Sequence, residues 1–238
     1  MDGLLKVVKD NSEYIPPSDK GSLYIRPVIW GTGPVLGVAP APSYTFLIYV
    51  SPVGPYFKSG IRCLNLRVTN KYHRAAPCGV GGYKTIGNYA ASLYPQKLAK
   101  SSGFDEVIYL NAADNESIEE VGSANLFIVK DKTVSTPPLG GSILPGVTRD
   151  SVIHISREIL GLDVEERPIS LSEMMEADEV FCTGTAVSVT PIGEITSDDS
   201  VSTINGNKIG NITLTLNTEL TDIQKEIKDD PFGWLIQV

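Results

Sequence analysis

Apolar segments of strand-like composition recur along most of the chain and outnumber the segments whose apolar residues have helical spacing. Several segments rich in β-branched and aromatic residues are bounded by glycine, proline or asparagine and predict strands. These segments are SLYIRPVIW, SYTFLIYVSPV, CLNLRVT, EVIYLNA, NLFIVKD, DEVFCTGTAVSVTPI and NKIG. The pattern therefore predicts a chain with a long all-β centre.

Helical spacing of apolar residues is confined to a few segments. It predicts helices over GLLKVVKDN, NYAASLYPQKLAKSSG, TRDSVIHISREILG and SLSEMMEA. Pro95 should kink or break the second helix. Ser170 and Glu173 have the spacing of a capping box at the start of the last one. With its strands and helices, the chain is predicted to be α+β.

Two stretches rich in proline and glycine interrupt the pattern, one between Gly31 and Ser43 and one at 51–60. We take the second as the boundary between two domains. We expect a first domain at 1–52 and a larger, β-rich domain at 53–238. Closure of the larger domain into a barrel does not follow from the pattern alone.

The composition excludes several classes of protein. A net charge of −8 argues against broad binding to nucleic acid or to anionic membranes, and no apolar run is long enough to span a bilayer. Three cysteines far apart and two histidines give little material for disulfides, a metal site or a histidine-based triad. We expect a reduced compartment, by default the cytoplasm.

A glycine-rich stretch, CGVGGYKTIGNYAASL, surrounds Lys84 and leads into the predicted second helix, which we expect to open at Asn88–Tyr89. Glycines allow close approach of the backbone, so this lysine could be held against a small, flat ligand. The alternative is that the segment is an ordinary solvated turn. Tyr89 likewise has two interpretations, a ligand contact or an aromatic residue of the core.

Two further segments carry backbone and hydroxyl donors. Val147 and Thr148 begin a predicted helix, where free N–H groups attract an anion. Thr185 and Ala186 belong to a Thr-Gly-Thr-Ala cluster at a strand end. Each threonine could instead be a simple helix cap or turn residue. Together the two segments suggest a phosphate site built from neutral donors.

Charged residues in two apolar strands also need an explanation. Glu120 directly precedes an apolar strand and is either a solvated carboxylate or the partner of a protonated ring nitrogen. Arg26 lies inside LYIRPVIWG, where a buried cation would need an anionic partner. A lysine, a carboxylate, a tyrosine and phosphate-binding threonines together form the set that pyridoxal 5'-phosphate (PLP) chemistry uses.

Ordered motifs along nearly the whole chain resemble one family. The motifs are SLYIRPVIWGTGPVLGVAPAPSYTFLIYVSPVG, HRAAPCGVGGYKTIGNYAASL, IEEVGSANLFIV, LGGSILPGVTRDS, VEERPIS and DEVFCTGTAVSVTPIG. They resemble the branched-chain-amino-acid aminotransferases of the class IV, fold-type IV PLP family, and especially the plant forms. The resemblance implies a small α/β domain followed by a larger pseudo-barrel domain, with PLP as cofactor.

The resemblance also implies roles for individual residues. Lys84 would form the Schiff base, Glu120 would pair with the pyridine nitrogen, and Tyr89 would bond the phenolic oxygen. The phosphate would be held by the backbone at Val147 and by two hydroxyl residues, Thr148 and Thr185.

Further positions match the substrate pocket of the family. Tyr24 and Arg26 would line it, with Arg26 accepting the glutamate side-chain carboxylate. The Ala186 N–H would take the α-carboxylate. Leu36 and Val38 lie in a loop that, in family dimers, reaches into the pocket of the neighbouring subunit.

The implied activity is transamination of leucine, isoleucine or valine with 2-oxoglutarate by a homodimer. Family members carry a further N-terminal segment with a phosphate-binding arginine, so we expect an incomplete small domain here. Two alternatives stay open. One is another fold-type IV enzyme, a D-amino-acid aminotransferase or a lyase. The other is a non-catalytic or weakly active relic that binds PLP or dimerises.

Overall fold

The computed structural model describes residues 1–54, 60–198 and 200–238. The chain divides into two compact units, Met1–Lys58 with Asp230–Val238, and Ser59–Asp229. The predicted boundary between residues 52 and 53, and the assignment of the two parts as separate domains, stay a prediction. Part of the predicted turn at 51–60 lies outside the described residues.

A two-stranded sheet dominates the first unit. Helix α1 (Asp2–Asp10) and a 3-10 turn (Ser12–Tyr14) precede strands β1 (Ser22–Thr32) and β2 (Ser43–Val53). The strands pair antiparallel without a bulge over their whole length. The predicted helix and both predicted strands are thus confirmed.

The second unit contains a sheet that closes on itself. Its strands are β3 (Leu64–Thr69), β4 (Glu106–Leu110), β5 (Ile118–Val121), β6 (Ala124–Lys130), β7 (Thr133–Thr136), β8 (Val164–Glu166), β9 (Glu179–Gly184), β10 (Ser188–Thr196) and β11 (Val201–Thr203). Pairing runs from β10 through β3, β4, β5 and β6 to β9, and β9 pairs again with β10. The sheet therefore forms a barrel-like ring, and the predicted β-rich pseudo-barrel is confirmed.

Helices pack around this ring. They are α2 (Ile86–Ser101), α3 (Val147–His154), which continues as a π-helical turn (Ile155–Ile159), α4 (Leu171–Met175) and α5 (Asn211–Gln224). Helix α2 begins two residues before the predicted opening at Asn88 and continues through Pro95 instead of ending there. Ser170 caps α4 by accepting the N–H of Glu173 at 3.1 Å, as predicted. Across the described parts of the chain, no helix has the length and apolar character that a membrane span requires.

Two of the predicted strands differ in the structure. The segment DEVFCTGTAVSVTPI is predicted as one strand but forms two, β9 and β10, because the chain reverses at 185–187, after which Ser188 has a positive φ of 52°. The segment NKIG is not a strand, since Asn205, Gly206 and Asn207 all adopt positive φ and form a 3-10 turn with Ile204. Helix α5 was not predicted at all.

The core of the second unit lies inside the ring and beneath its helices. Phe127 on β6 and Phe181 on β9 stack with their ring centroids 5.0 Å apart, and both side chains are fully buried. Strand β3 alternates between buried and half-buried positions, whereas all but the last residue of β6 is buried. Complete burial of one large apolar side chain stabilises a fold by about 1.5–3 kcal/mol. The many buried side chains of this core therefore stabilise the sheet from which the loops of the site extend.

Candidate cofactor site

The glycine-rich loop before α2 packs directly against a second loop. A side chain at Gly81 would lie 2.2 Å from the carbonyl oxygen of Ser142, so this position admits only glycine. The N–H of Gly82 donates to the carbonyl of Gly141 at 2.7 Å. The glycines thus permit a close contact between two segments of backbone, and that contact fixes the segment before Lys84.

Lys84 follows this contact, two residues before α2. Its Nζ atom lies 5.6 Å from the centroid of the Tyr89 ring, and the lysine side chain is exposed. The buried amide of Asn88 closes the loop by donating to the carbonyls of Val80 and Tyr83, each at 2.9 Å. The structure therefore brings Lys84 and Tyr89 together on a loop with a defined shape.

Glu120 lies on β5 and is only 2% exposed. Its carboxylate forms an ion pair with Arg74 and accepts the Asn125 amide at 2.7 Å. Burial raises the pKa of Glu120 to about 8, while the positive charges of Arg74 and Lys84 act in the opposite direction. The predicted alternative of a solvated carboxylate is wrong, because the side chain lies in the interior.

Arg74 is a residue of this site that sequence reasoning missed. It follows β3, and its Nη2 group donates to the carbonyl of Ser142 in addition to its ion pair with Glu120. Arg74 therefore connects Glu120 to the loop that contains Gly141 and Ser142, which also accepts the N–H of Gly82. The sequence feature that could have identified Arg74 is the segment HRAAP, in which two alanines follow the arginine. A cation in apolar surroundings needs an acidic partner.

Asn125 connects Glu120 to the start of α3. Its amide group donates both to Glu120 and, at 2.9 Å, to the carbonyl of Leu144. A side chain at Gly146 would lie 2.2 Å from the Asn125 Oδ1 atom, so glycine is needed where α3 begins. The Asn125 side chain thus fixes the position of the Glu120 carboxylate relative to the start of α3.

The two predicted anion-binding segments meet at one cavity of about 180 Å³. It is lined by Val147, Thr148, Gly184, Thr185, Ser188, Leu220 and Gln224. The first N–H groups of a helix lack intrahelical partners, and α3 begins here. No side-chain hydrogen bond in the described part of the chain engages the hydroxyls of Thr148 or Thr185. Neutral donors are therefore available for an anion.

No lysine or arginine is among the described residues that line this cavity. Arg149, the neighbour of Thr148, is buried and donates to Glu166 at 2.8 Å and to the Pro137 carbonyl at 3.0 Å. Ala186 lies beside Thr185 in the exposed turn between β9 and β10. Any anion in the cavity would thus be bound by neutral groups of this unit.

The remaining predicted residues lie in the first unit. Arg26 is exposed, donates to the Tyr24 hydroxyl, and has its guanidinium 5.0 Å from the centroid of that tyrosine's ring. The expectation that Arg26 needs an anionic partner is wrong, because water solvates its charge. Leu36 and Val38 are fully exposed in the loop between β1 and β2. The substrate roles of these residues stay predictions.

The barrel-like sheet, the lysine on a glycine-rich loop and the buried carboxylate define a class of protein. The chain belongs to the class IV aminotransferases, whose sequence profile matches residues 4–195. It is 51% identical over 228 residues to branched-chain-amino-acid aminotransferase 5, chloroplastic, of Arabidopsis thaliana, which covers 96% of this chain. The chain spans 55% of the length of that relative.

Solved structures of the same family superpose on the chain. The branched-chain amino acid aminotransferase of Escherichia coli has a TM-score of 0.84 at 32% identity, covering 99% of this chain and 74% of its own. The Thermobaculum terrenum enzyme, solved in its PLP form, has a TM-score of 0.77 at 26% identity, covering 93% of this chain and 68% of its own. The predicted family and its fold are confirmed.

Proposed function

We propose that this chain carries the PLP site of a branched-chain-amino-acid aminotransferase, which transfers the amino group of leucine, isoleucine or valine to 2-oxoglutarate. The observation that carries the proposal is the buried Glu120, which its ion pair with Arg74 connects to the loop that contacts Gly82, just before Lys84. A carboxylate excluded from water is the partner that a protonated ring nitrogen requires. The solved Thermobaculum terrenum relative, which is in its PLP form, supports the cofactor.

The residues present fit PLP. The Glu120 carboxylate interacts with three donors, the Arg74 guanidinium, the Asn125 amide and the backbone N–H of Leu144, and each of its two oxygens can accept two. One acceptor position is thus free for a ring N–H. The unengaged hydroxyls of Thr148 and Thr185, with the first N–H groups of α3 at Val147, match a phosphate.

When bound, PLP supplies an electron sink that stabilises the negative charge left by loss of a proton from the substrate. The task of Lys84 is to attach the cofactor and then to move that proton, for which its amine must be neutral. Glu120 holds a proton on the ring nitrogen, and Tyr89 donates a hydrogen bond to the phenolic oxygen. Arg74 and Asn125 orient Glu120.

For the substrate, we retain Tyr24 and Arg26 as side-chain contacts, the Ala186 N–H as the contact of the α-carboxylate, and Leu36 and Val38 as contacts with a neighbouring subunit. Support comes from the exposure of Arg26 and of Ala186, which lies in the turn between β9 and β10. An apolar pocket separates side chains that differ by one methylene by only about 1–3 kcal/mol. We therefore propose a group of branched-chain substrates and not one amino acid.

We also propose that the chain functions as a homodimer. Three apolar side chains around the Lys84 loop, Val80, Tyr83 and Ile86, are 53%, 70% and 84% exposed. Such a patch supports a protein partner. Light scattering coupled to gel filtration tests this, since a monomer at micromolar concentration contradicts it. The cytoplasmic location stays a prediction, and the Arabidopsis relative is chloroplastic by name.

A second candidate function is PLP binding without turnover. The observation that favours it is the absence of lysine and arginine from the described lining of the phosphate cavity. A charge-assisted hydrogen bond contributes about 1.5–3 kcal/mol, so neutral donors alone hold a phosphate less tightly.

One experiment separates these possibilities. The purified chain is titrated with PLP while its visible absorbance is recorded, and L-leucine, L-isoleucine, L-valine and D-leucine are then added separately with 2-oxoglutarate. A change in absorbance with the L-amino acids, with formation of glutamate, supports the aminotransferase. PLP uptake without glutamate supports the second candidate. Preference for D-leucine contradicts the branched-chain L-specificity.

A further inference from the structure

A second cavity lies in the second unit, and its described lining contains no residue that we propose to bind PLP. Its volume is about 390 Å³, within the range of about 300–1,000 Å³ of pockets that bind small molecules. The cavity lies where two neighbouring parallel strands end, since Asn70 and Lys71 follow β3 and Asp198 follows β10. The carboxyl ends of parallel strands are a common position for ligand sites.

The inner wall of this cavity is apolar. Val68 on β3, Ala99 on α2 and Val107 on β4 line it, and they are 6%, 5% and 1% exposed. Tyr72 and Phe104 also line the cavity, and both pack against the core cluster that contains Ala99 and Val107. Because these side chains are anchored in the core, they form a fixed surface that an aliphatic or aromatic group can contact.

The polar lining residues come from β3 and from the loops that follow β3 and β10. The Arg67 guanidinium forms an ion pair with Asp198 and donates to the carbonyl of Ser197 at 3.0 Å. The Asn70 amide donates to the other oxygen of Asp198 at 3.1 Å. Both oxygens of Asp198 are therefore engaged, and the charge of this carboxylate is balanced by Arg67.

Lys71 supplies a positive charge that the cavity does not balance. Among the described residues, no ion pair or side-chain hydrogen bond engages its ammonium group, and its side chain is exposed. Arg67 and Lys71 contribute two positive charges to the described lining and Asp198 one negative charge, so the lining carries +1, whereas the whole chain carries −8. A cation beside a fixed apolar wall matches an anion that has an apolar body.

We infer that this cavity binds a small carboxylic acid with an aliphatic or aromatic body. The carboxylate pairs with Lys71, and the body contacts Val68, Tyr72 and Phe104. A free amino acid is not the favoured ligand, because Asp198 is already engaged and leaves its ammonium group without a partner. The inference does not rest on the proposed function, since the proposed PLP site and this cavity share no described residue.

Phenylacetate is the first probe, and its binding is followed by titration of the ¹⁵N-labelled chain in amide NMR spectra. We expect saturable shifts with a dissociation constant on the order of 1 mM or lower. Phenylacetamide has the same body without the charge, and acetate has the charge without the body. Each should bind at least about threefold more weakly than phenylacetate. Absence of saturable shifts with phenylacetate, or equal binding of either analogue, contradicts the inference.

Three variants locate the probe. Lys71→Gln should weaken phenylacetate binding about three- to tenfold, because it removes the charge and keeps a polar side chain. Lys97→Gln is the matched control, since Lys97 is exposed on α2 and does not line the cavity. Thr148→Val alters the other cavity. Both should keep the parent affinity. An unchanged affinity in Lys71→Gln, or an equal loss in either of the other two variants, contradicts the inference.

A fourth variant blocks the cavity. Ser102 lines it at the end of α2 and is exposed, so Ser102→Phe should place a ring in the space that the probe occupies and abolish binding. Guanidinium unfolding checks that this variant still unfolds cooperatively. Undiminished binding in a folded Ser102→Phe chain would place phenylacetate outside the cavity and overturn the inference. If this variant does not fold, Lys71→Gln decides the question, because it changes an exposed side chain.

Discussion

The guanidinium of Arg74 and the carboxylate of Glu120 form an ion pair inside the second unit, where their side chains are 7% and 2% exposed. The same guanidinium bonds to the carbonyl of Ser142, in the loop that contacts Gly82. The pair therefore joins the buried carboxylate to the loop that precedes Lys84. We expect both the stability of the second unit and the proposed binding of PLP to depend on it.

Removal of Arg74 should be strongly destabilising. Arg74→Met leaves Glu120 buried without its cation, which should lower the free energy of unfolding by about 3–5 kcal/mol in guanidinium titrations at neutral pH. Combining it with Glu120→Leu should recover most of that loss. The control is Arg62→Met, whose ion pair with Asp105 is 49% and 25% exposed and should contribute less than about 1 kcal/mol. Equal losses at the two arginines would contradict the assignment.

Maximal stability of the cofactor-free chain should lie at an acidic pH, about 4–5. Hydrogen bonds from Arg62 and Arg167 lower the pKa of Asp105 and Glu173, so their contribution is present above the unfolded values and is lost as the pH falls below about 4. Burial raises the pKa of Glu119 and Glu120, so their contribution is lost as the pH rises. Thermal unfolding from about pH 3 to 9 tests this, and a maximum at about pH 7 or above would contradict it.

The neutral phosphate cradle can be tested by removing its hydroxyls. Thr148→Val and Thr185→Val each delete one donor to a charged group, and each should weaken PLP binding about ten- to a hundredfold. Thr215→Val is the matched control, because the Thr215 hydroxyl is exposed and bonds the Asn211 carbonyl of its own helix. Titration by visible absorbance measures the affinities. Unchanged affinity in both cradle variants would show that the phosphate binds elsewhere.

Glu120→Gln should retain PLP and lose most transaminase activity. A neutral amide cannot hold the proton on the ring nitrogen, so the electron sink is weakened although the Asn125 contact can persist. Glutamate formation from L-leucine and 2-oxoglutarate measures the loss, with Glu116→Gln as control. Activity equal to that of the parent would assign the role to another group, and Glu119 would be the first to examine.

Local pattern predicted much of the fold. Strand β2 was predicted with its observed bounds, because alternating aromatic and aliphatic residues between proline-rich turns leave few other conformations. Helix α5 escaped prediction because its threonines and asparagines favour helix weakly. Its stability comes from the burial of Leu216, Leu220 and Ile223, and from Glu179, which accepts the N–H groups at its start.

The site was predicted only where residues close in sequence form a motif. Lys84 and Thr148 each lie in a recognisable glycine-containing segment. The partnership of Arg74 with Glu120, and the double pairing of β9 with β6 and β10, join residues far apart in the chain. These contacts form only when the barrel closes. Secondary-structure propensity and the spacing of residues along the chain therefore cannot predict them.

The central claim is that Lys84 binds PLP in a site built from residues of this chain. Its most direct test is a PLP titration of the parent and of Lys84→Ala, followed by visible absorbance and by mass after borohydride reduction. The account predicts a saturable absorbance change and one covalently attached pyridoxyl group at Lys84 in the parent, and neither in Lys84→Ala, which should still unfold cooperatively. Attachment at another lysine, or an equal absorbance change in Lys84→Ala, would contradict the account.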